Sequence, residues 1–220
     1  MKNVKSDINL YLLGKRNYVK SANQLEYALI RIKNEHKVKD LSEIFVRRFK
    51  QIEELCSPVE IILSTQQEPK NSLRATLAVN IAGKYFNYKL IAIPGSLKRY
   101  IKESYRQINY RENSDTEATV QMTEAIDFWE VLSESVQLAK VFHIKKYNDK
   151  LNYRFVVGGF DNLRYIKLKE RESIEINCQI LRQIIHENNI YNQLRIVVKS
   201  NSEMYSFLMP FIGRYRRDEY

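Results

Sequence analysis

The spacing of apolar residues predicts two helices near the start of the chain. Ser21–His36 opens with Ser21 and Gln24 at the spacing of a capping box, although its apolar residues also fit the alternation of a strand. Asp40–Leu55 has apolar residues at every third or fourth position and stops before Ser57-Pro58, where proline disfavours a helix. The chain is therefore predicted to begin with two helices.

A block rich in β-branched and aromatic residues follows. It predicts three strands, at residues 59–65, 73–82 and 84–93. Ala82-Gly83-Lys84 has the composition of a tight turn, and Pro94-Gly95 ends the block. The last two strands are therefore expected to form a hairpin.

The longest helical pattern of the chain lies near its middle. Ser114 and Glu117 have the spacing of a second capping box, and apolar residues then recur at helical intervals from Ala118 to Phe142, for about seven turns. Such a helix carries a continuous apolar stripe that a sheet or other helices must cover. The sequence predicts a long central helix that includes Trp129.

After this helix the apolar period becomes two, which is typical of strands with one buried face. The predicted strands are 154–157, 163–168, 174–180, 194–198 and 204–212. The fold class that follows is α+β, with the long central helix packed on an antiparallel sheet. No internal repeat stands out, and we expect an N-terminal helical extension over residues 1–57 and an α+β domain over residues 58–220.

Charge and cysteine content narrow the classes of protein that the chain can belong to. Lys and Arg number 36 against 26 Asp and Glu, a formal net charge of +10. This balance favours a polyanionic partner, but a lysine-rich surface with no such partner explains it equally well. Cys56 and Cys178 lack metal-ligand spacing and fit free thiols in a reducing compartment. Residues 1–20 have no signal-peptide core, and no apolar run approaches the roughly 18–20 residues of a membrane span, so the cytoplasm is the expected location.

Two stretches resemble the hot-dog fold family of acyl-CoA thioesterases and acyl-carrier-protein dehydratases. Glu130–Ala139 reads E-V-L-S-E-S-V-Q-L-A and is similar to the part of the family's central helix that places a carboxylate at the active site, with Glu134 at the matching position. Val156–Ile180 is similar to the family's strand pair, with Tyr165 where Phe is usual. The resemblance covers Ser114–Ile212.

The resemblance implies binding of an acyl thioester, either acyl-CoA or an acyl-carrier protein, by a homodimer whose sheets pair edge to edge. Family members usually carry a His shortly before the helix carboxylate, but Glu124–Asp127 contains neither His nor Gly. The family's Pro-Gly turn is replaced by Lys169–Glu172. The usual catalytic pair is thus incomplete, and whether the chain hydrolyses or dehydrates a thioester stays open.

Three residues are candidates for catalysis. Glu134 could act as general base if burial raises its pKa, or it could simply face solvent. His143 could be its acid/base partner, or a cation that is favourable at a helix C-terminus. Asp161 is the second candidate carboxylate, or a turn residue together with Asn162. The candidate ligand contacts are Asn162, Gly158, Gly159 and Trp129.

The sequence predicts no metal and no cofactor. Its histidines, His36, His143 and His186, are far apart, and no H-x-x-x-H or C-x-x-C spacing occurs. Gly158-Gly159 alone falls short of a dinucleotide-binding loop.

A basic, tyrosine-rich stretch at residues 97–111 supports a second hypothesis, that of a nucleic-acid-binding or regulatory protein. Such residues neutralise phosphates and stack on bases. Those concerned are Lys98, Arg99, Lys102, Arg106 and Arg111, interleaved with Tyr100, Tyr105 and Tyr110. The same stretch also fits an amphipathic helix with solvated charges, or a grip on the phosphates of coenzyme A or on an acidic carrier protein. A structural subunit without a ligand is the third hypothesis.

Overall fold

The computed structural model describes residues 10–13, 19–69, 71–100, 109–125, 127–147, 153–168, 172–187, 189–201 and 203–215. These residues form two α-helices, α1 (Ser21–Glu35) and α2 (Phe128–Tyr147), and a short 3-10 turn at Leu41–Glu43. They also form thirteen strands: β1 (Tyr11–Leu13), β2 (Ile44–Gln51), β3 (Val59–Leu63), β4 (Leu73–Ile81), β5 (Lys84–Ala92), β6 (Lys98–Tyr100), β7 (Tyr110–Ser114), β8 (Glu117–Ala125), β9 (Tyr153–Val157), β10 (Gly159–Arg164), β11 (Glu172–His186), β12 (Asn189–Lys199) and β13 (Met204–Tyr215).

One large antiparallel sheet contains eleven of these strands. Their order is β3-β5-β4-β2-β10-β13-β12-β11-β8-β7, and β9 pairs with β13 beside this path. β1 and β6 form a separate parallel pair. The large sheet has two halves: one is formed by β2 to β5, which follow α1 in the chain, and the other is formed by β7 to β13, with α2 between β8 and β9. The halves meet where β2 pairs with β10.

Both helices lie against the large sheet and contact each other. α1 buries Leu25, Ala28, Leu29 and Ile32, a single stripe at helical spacing. Alternate residues of the strands cover this stripe and its counterpart on α2, as in β4, where Ala75, Leu77, Val79 and Ile81 are buried. Full burial of a Leu, Ile or Val side chain among these residues stabilises the fold by roughly 1.5–3 kcal/mol. Helices and strands thus face the same core, which explains why the apolar period changes along the sequence from helical spacing to an interval of two.

The predicted helix Asp40–Leu55 is wrong beyond its first turn. The capping box is present, since Ser42 N donates to Asp40 Oδ1 at 2.8 Å and Asp40 N donates to Glu43 Oε1 at 3.0 Å. The chain then continues as β2, which lies in the middle of the sheet. A bulge between Val46 and Arg48 adds one residue to the alternation of this strand. The buried residues therefore follow intervals of two and three, which resemble helical spacing.

The predicted central helix begins too early and ends too soon. Residues 117–125 form β8, and Ser114 pairs with Glu117 across the β7–β8 turn instead of capping a helix. The helix starts after Asp127, whose Oδ1 accepts a hydrogen bond from Glu130 N at 2.8 Å. β8 buries Ala118, Val120 and Met122, which is an alternation of two. The long central helix is thus α2, of 20 residues, with a strand before it.

The other predicted elements are largely confirmed. The first helix is α1, the three strands at residues 59–93 are β3 to β5, and their hairpin turns at Ala82 and Gly83, which both have positive φ. The predicted strand 163–168 instead lies at Gly159–Arg164. Division at residue 57 stays a prediction, although β2 belongs to the same sheet as the rest. No helix of the described part is long and apolar enough to cross a membrane.

Gly159 permits the close backbone approach of β10 to β2. A Cβ at this position would lie 2.0 Å from the carbonyl oxygen of Phe49, whereas at Gly158 the nearest atom would be the end of the Ile212 side chain, at 3.3 Å. We expect Gly159→Ala to lower the free energy of unfolding by roughly 3 kcal/mol or more, because a backbone atom has to move. Gly158→Ala is the matched control and should cost much less. Urea unfolding of both variants measures the difference, and equal losses would contradict the role assigned to Gly159.

Candidate functional site

A cleft with a volume of about 130 Å³ opens between the two helices. One wall is formed by the start of α1, at residues 20–22, together with the end of β2 and residues 52–54. The other is formed by the middle of α2, by β9 with Gly158, and by the end of β13. The cleft therefore lies over the junction of the two halves, and each half supplies one wall.

The floor of the cleft is apolar. It includes Val136 of α2, Phe155 and Val157 of β9, and Phe211 of β13. The rings of Phe155 and Phe211 stack with centroids 5.7 Å apart and an angle of 9° between their planes. A Cβ on Gly213 would lie 2.6 Å from the Phe155 ring, so only glycine leaves room for this ring on the backbone of β13.

The rim of the cleft is polar on both sides. Ser133 and Gln137, one helical turn apart, come from α2. Ser21, on the opposite wall, donates from Oγ to Gln51 Oε1 at 2.5 Å, and its Oγ lies 3.3 Å from the carbonyl oxygen of Val157. This contact ties the start of α1 to the ends of β2 and β9, and so fixes the width of the cleft.

Charged side chains also line the rim. The cations are Lys20, Lys140 and Arg214, and the anions are Glu53 and Glu54. Both carboxylates have cationic partners: Arg74 Nη1 lies 2.7 Å from Glu53 Oε2, and Arg154 pairs with Glu54. The rim thus combines hydrogen-bonding groups with positive charge.

His143 lies behind the floor and is fully buried. Its ring contacts those of Phe155 and Phe211, with centroids 5.5 Å and 4.7 Å away. Nδ1 donates to the carbonyl oxygen of Ala139 at 2.6 Å, and burial lowers the pKa of the imidazole to about 4. The side chain is therefore neutral, and the expectation of a cation favoured by the helix C-terminus is wrong.

The remaining predicted site residues occupy different parts of the structure. Gly158 lines the cleft, and Glu134 is half-buried beside Ser133 on α2 without being one of the lining residues. Asp161 Oδ1 is paired with Arg48 Nε at 3.3 Å, and Asn162 is exposed with a φ of 58°. Gly159 lies at the β2–β10 junction, and Trp129 packs against Phe128 and Tyr165. Of these residues, Gly158 lines the cleft, and Glu134 lies on the helical turn that does so. The functional roles of all of them stay predictions.

The basic stretch is described only at its ends. Lys98, Arg99 and Tyr100 form β6 and pair in parallel with β1, and Arg111 Nε donates to Asn113 Oδ1 at 3.1 Å. Lys102, Tyr105 and Arg106 lie outside the described residues. Nucleic-acid binding by residues 97–111 therefore stays a prediction.

Sequence reasoning missed several polar residues that the structure identifies. Ser133 and Gln137 flank the predicted Glu134, and their spacing of four, which places both on one helix face, was the available signal. No pattern in the sequence singles out Glu26 of α1. Its partial burial, together with the negative charge of Asp127, raises its pKa to about 7. Within the described ranges, no group of three His, Cys, Asp or Glu could hold a metal ion.

No protein-family model matches the sequence, and a comparison with curated proteins finds no significant match. Solved structures are similar across most of the chain. A putative oleoyl thioesterase from Lactobacillus plantarum matches with a TM-score of 0.50 at 10% identity, over 92% of this chain and 91% of that one. The tesB protein from Mycobacterium avium subs paratuberculosis has a TM-score of 0.50 at 8% identity, over 94% and 91%. The dehydratase domain of PpsC from Mycobacterium tuberculosis, in complex with C12:1-CoA, has a TM-score of 0.49 at 6% identity, over 90% and 85%.

At these identities the likeness shows the fold alone. The chain has the architecture of the hot-dog fold, a large antiparallel sheet with a helix packed on it. The likeness extends over about nine-tenths of the chain, so the expectation that only Ser114–Ile212 resembles the family is wrong.

The buried, neutral His143 makes the stability of the protein depend on pH. Its pKa is about 4 in the folded chain and about 6.5 when solvated, so the unfolded chain binds more protons between these values. Stability from this group is complete above about pH 6.5 and is lost as the pH falls. From pH 7 to pH 4.5 we expect the protein to lose roughly 2–3 kcal/mol more stability than His143→Phe does. Urea unfolding at both pH values measures this, with the exposed His186→Phe as control; equal losses in the protein and in His143→Phe would refute the assignment.

Proposed function

We propose that the chain binds an acyl thioester in the cleft between α1 and α2. The acyl group lies on the apolar floor, and the thioester lies at the rim, within reach of Ser133 and Gln137. The observation that carries this proposal is the continuity of a floor built by Phe155 and Phe211 with a hydrogen-bonding rim. Ligand sites of this kind join apolar walls to a few placed polar groups. The similarity to a putative oleoyl thioesterase supports the same ligand class.

The size of the cleft indicates a short acyl group. Its volume of about 130 Å³ is close to that of apolar protein cavities that hold one benzene molecule, about 150 Å³. An acyl chain of roughly six carbons therefore fits the cleft without rearrangement.

The charges of the rim suit the carrier of the acyl group. Coenzyme A and the arm of an acyl-carrier protein both bear phosphate, which Lys and Arg side chains bind well. Lys20, Lys140 and Arg214 line the cleft from three different elements. The proposal includes either carrier, a homodimer and a cytoplasmic location.

Catalysis is a separate part of the proposal. Glu134 shares a helical turn with Ser133 and is half-buried, so a change of its side-chain rotamer would bring the carboxylate toward the rim. From there it would activate a water or remove a proton from the acyl group. The imidazole of His143, behind the floor, would supply an acid/base partner only after movement of Phe155 or Phe211. Asp161 is paired with Arg48 outside the cleft, so its catalytic role stays a separate prediction in which the cleft has no part.

Blocking the cleft tests the binding site. Ser133→Trp places an indole at the rim from an exposed helix position, so we expect it to weaken binding of hexanoyl-CoA at least tenfold while the fold is kept. Val141→Trp, on the same helix but outside the cleft, should bind as the unchanged protein does. Calorimetric titration measures both affinities, with circular dichroism to check folding. Equal affinities in the two variants would place the ligand elsewhere, and no binding by the unchanged protein would refute the proposal.

Glu134→Gln tests catalysis independently of binding. Gln keeps the shape of the side chain but is uncharged and cannot take up a proton, so we expect hydrolysis or dehydration of hexanoyl or hydroxyhexanoyl thioesters to fall at least a hundredfold. The thermal midpoint and the affinity for hexanoyl-CoA should barely change. Thiol release and product chromatography measure the rates. Full activity in the variant would remove Glu134 from the site.

A further inference from the structure

Two buried polar atoms behind the cleft have no hydrogen-bond partner among the described residues. They are Nε2 of His143, a residue that is 0% exposed, and Nδ2 of Asn192, which is 3% exposed. Polar atoms buried without a partner cost free energy, so each marks a place where a partner group is expected.

The hydrogen bonds made by the rest of each side chain determine whether the unpaired atom is a donor or an acceptor. Nδ1 of His143 is 2.6 Å from the carbonyl oxygen of Ala139, which can only accept, so this nitrogen carries the proton and Nε2 is a bare acceptor. Gln183 Nε2 donates to Asn192 Oδ1 at 3.0 Å, which leaves the Asn192 Nδ2 as a donor. Gln183 Nε2 also contacts the Tyr147 hydroxyl, close to His143. One acceptor and one donor are therefore held in place.

Both residues are neighbours of Phe211, which belongs to the cleft floor. The His143 ring lies 4.7 Å from the Phe211 ring, centroid to centroid. Asn192 is the cross-strand partner of Phe211 between β12 and β13, so the two side chains are neighbours on one face of the sheet. Phe211 itself lines the cleft. A rotation of this ring, of the kind that is common on ligand binding, would join the cleft to the two polar atoms.

We propose that His143 Nε2 and Asn192 Nδ2 recognise a hydroxyl group at the far end of the bound acyl chain. This inference rests on the proposed function, and it narrows the substrate class to hydroxylated acyl groups. A hydroxyl donates to the imidazole nitrogen and accepts from the amide at the same time. A methyl end satisfies neither atom, and a carboxylate, which only accepts, would face the lone pair of Nε2. The proposal makes these two residues determinants of specificity.

Paired ligands test the inference. We expect 6-hydroxyhexanoyl-CoA to bind about tenfold more tightly than hexanoyl-CoA in calorimetric titration. Asn192→Leu should abolish this preference while hexanoyl-CoA still binds within about threefold of its original affinity, and His143→Phe should abolish the preference as well. The exposed His186→Phe is the control and should keep the preference. If hexanoyl-CoA binds and the hydroxyl gives no advantage, this inference is overturned and the proposed function stands. If neither ligand binds, both are overturned.

A measurement on the unchanged protein covers the case in which the variants do not fold. The chain has three histidines, so selective ¹⁵N labelling gives few imidazole signals. His36→Phe and His186→Phe identify the other two by their loss. We expect the His143 Nε2 signal to shift to lower frequency with 6-hydroxyhexanoyl-CoA and to stay in place with hexanoyl-CoA. Equal responses to the two ligands would overturn the inference.

Discussion

The backbone pairing of β2 with β10 is the contact on which the cleft depends. It joins the half of the large sheet formed by β2 to β5 to the half formed by β7 to β13, and Gly159 allows the two backbones to approach. Phe49 and Phe160 stack across the same junction with centroids 6.2 Å apart. Gln51 N donates to the carbonyl oxygen of Gly158 at 2.9 Å just beyond it. One wall of the cleft contains the end of β2 and the other contains β9, so the pairing of β2 with β10 sets the distance between the two walls.

The sequence predicted the fold well where the apolar pattern of a segment depends on that segment alone. α1 carries its buried stripe in a single run, and the β4–β5 hairpin has a turn of Ala82 and Gly83 that suits positive φ. It failed at β2, since a bulge inserts one residue and turns an alternating strand into an apparent helix. The prediction failed again at β8, where the intervals between Ala118, Met122 and Ala125 fit a helix although the segment is a strand. The period of the pattern alone could not separate these cases.

The site was predictable only in part for a different reason. Gly158, which lines the cleft, and the turn of α2 that carries Glu134 could be singled out because a short local pattern surrounds each of them, and the role of Glu134 stays a prediction. Phe155 and Phe211 are 56 positions apart in the sequence, and they meet only because β9 and β13 pair in one register. The Ser21–Gln51 contact also depends on packing of α1 over the junction. Contacts set by strand register and by helix packing leave no local trace.

If His143 and Asn192 recognise the ligand as proposed, function and stability compete in the region behind the cleft. His143 and Asn192 are buried with polar atoms that the described chain does not satisfy, at a cost in stability. Apolar residues of similar shape would remove that cost. Functional sites often depart from the rule that buried polar atoms are paired. His143 and Asn192 both depart from it, and both lie beside Phe211 of the cleft floor.

Intermolecular nuclear Overhauser effects between bound hexanoyl-CoA and the protein would show where the acyl chain lies. We expect contacts from the acyl chain to the rings of Phe155 and Phe211 and to the methyl groups of Val136. Contacts confined to the opposite face of the sheet, near Arg48, would contradict it.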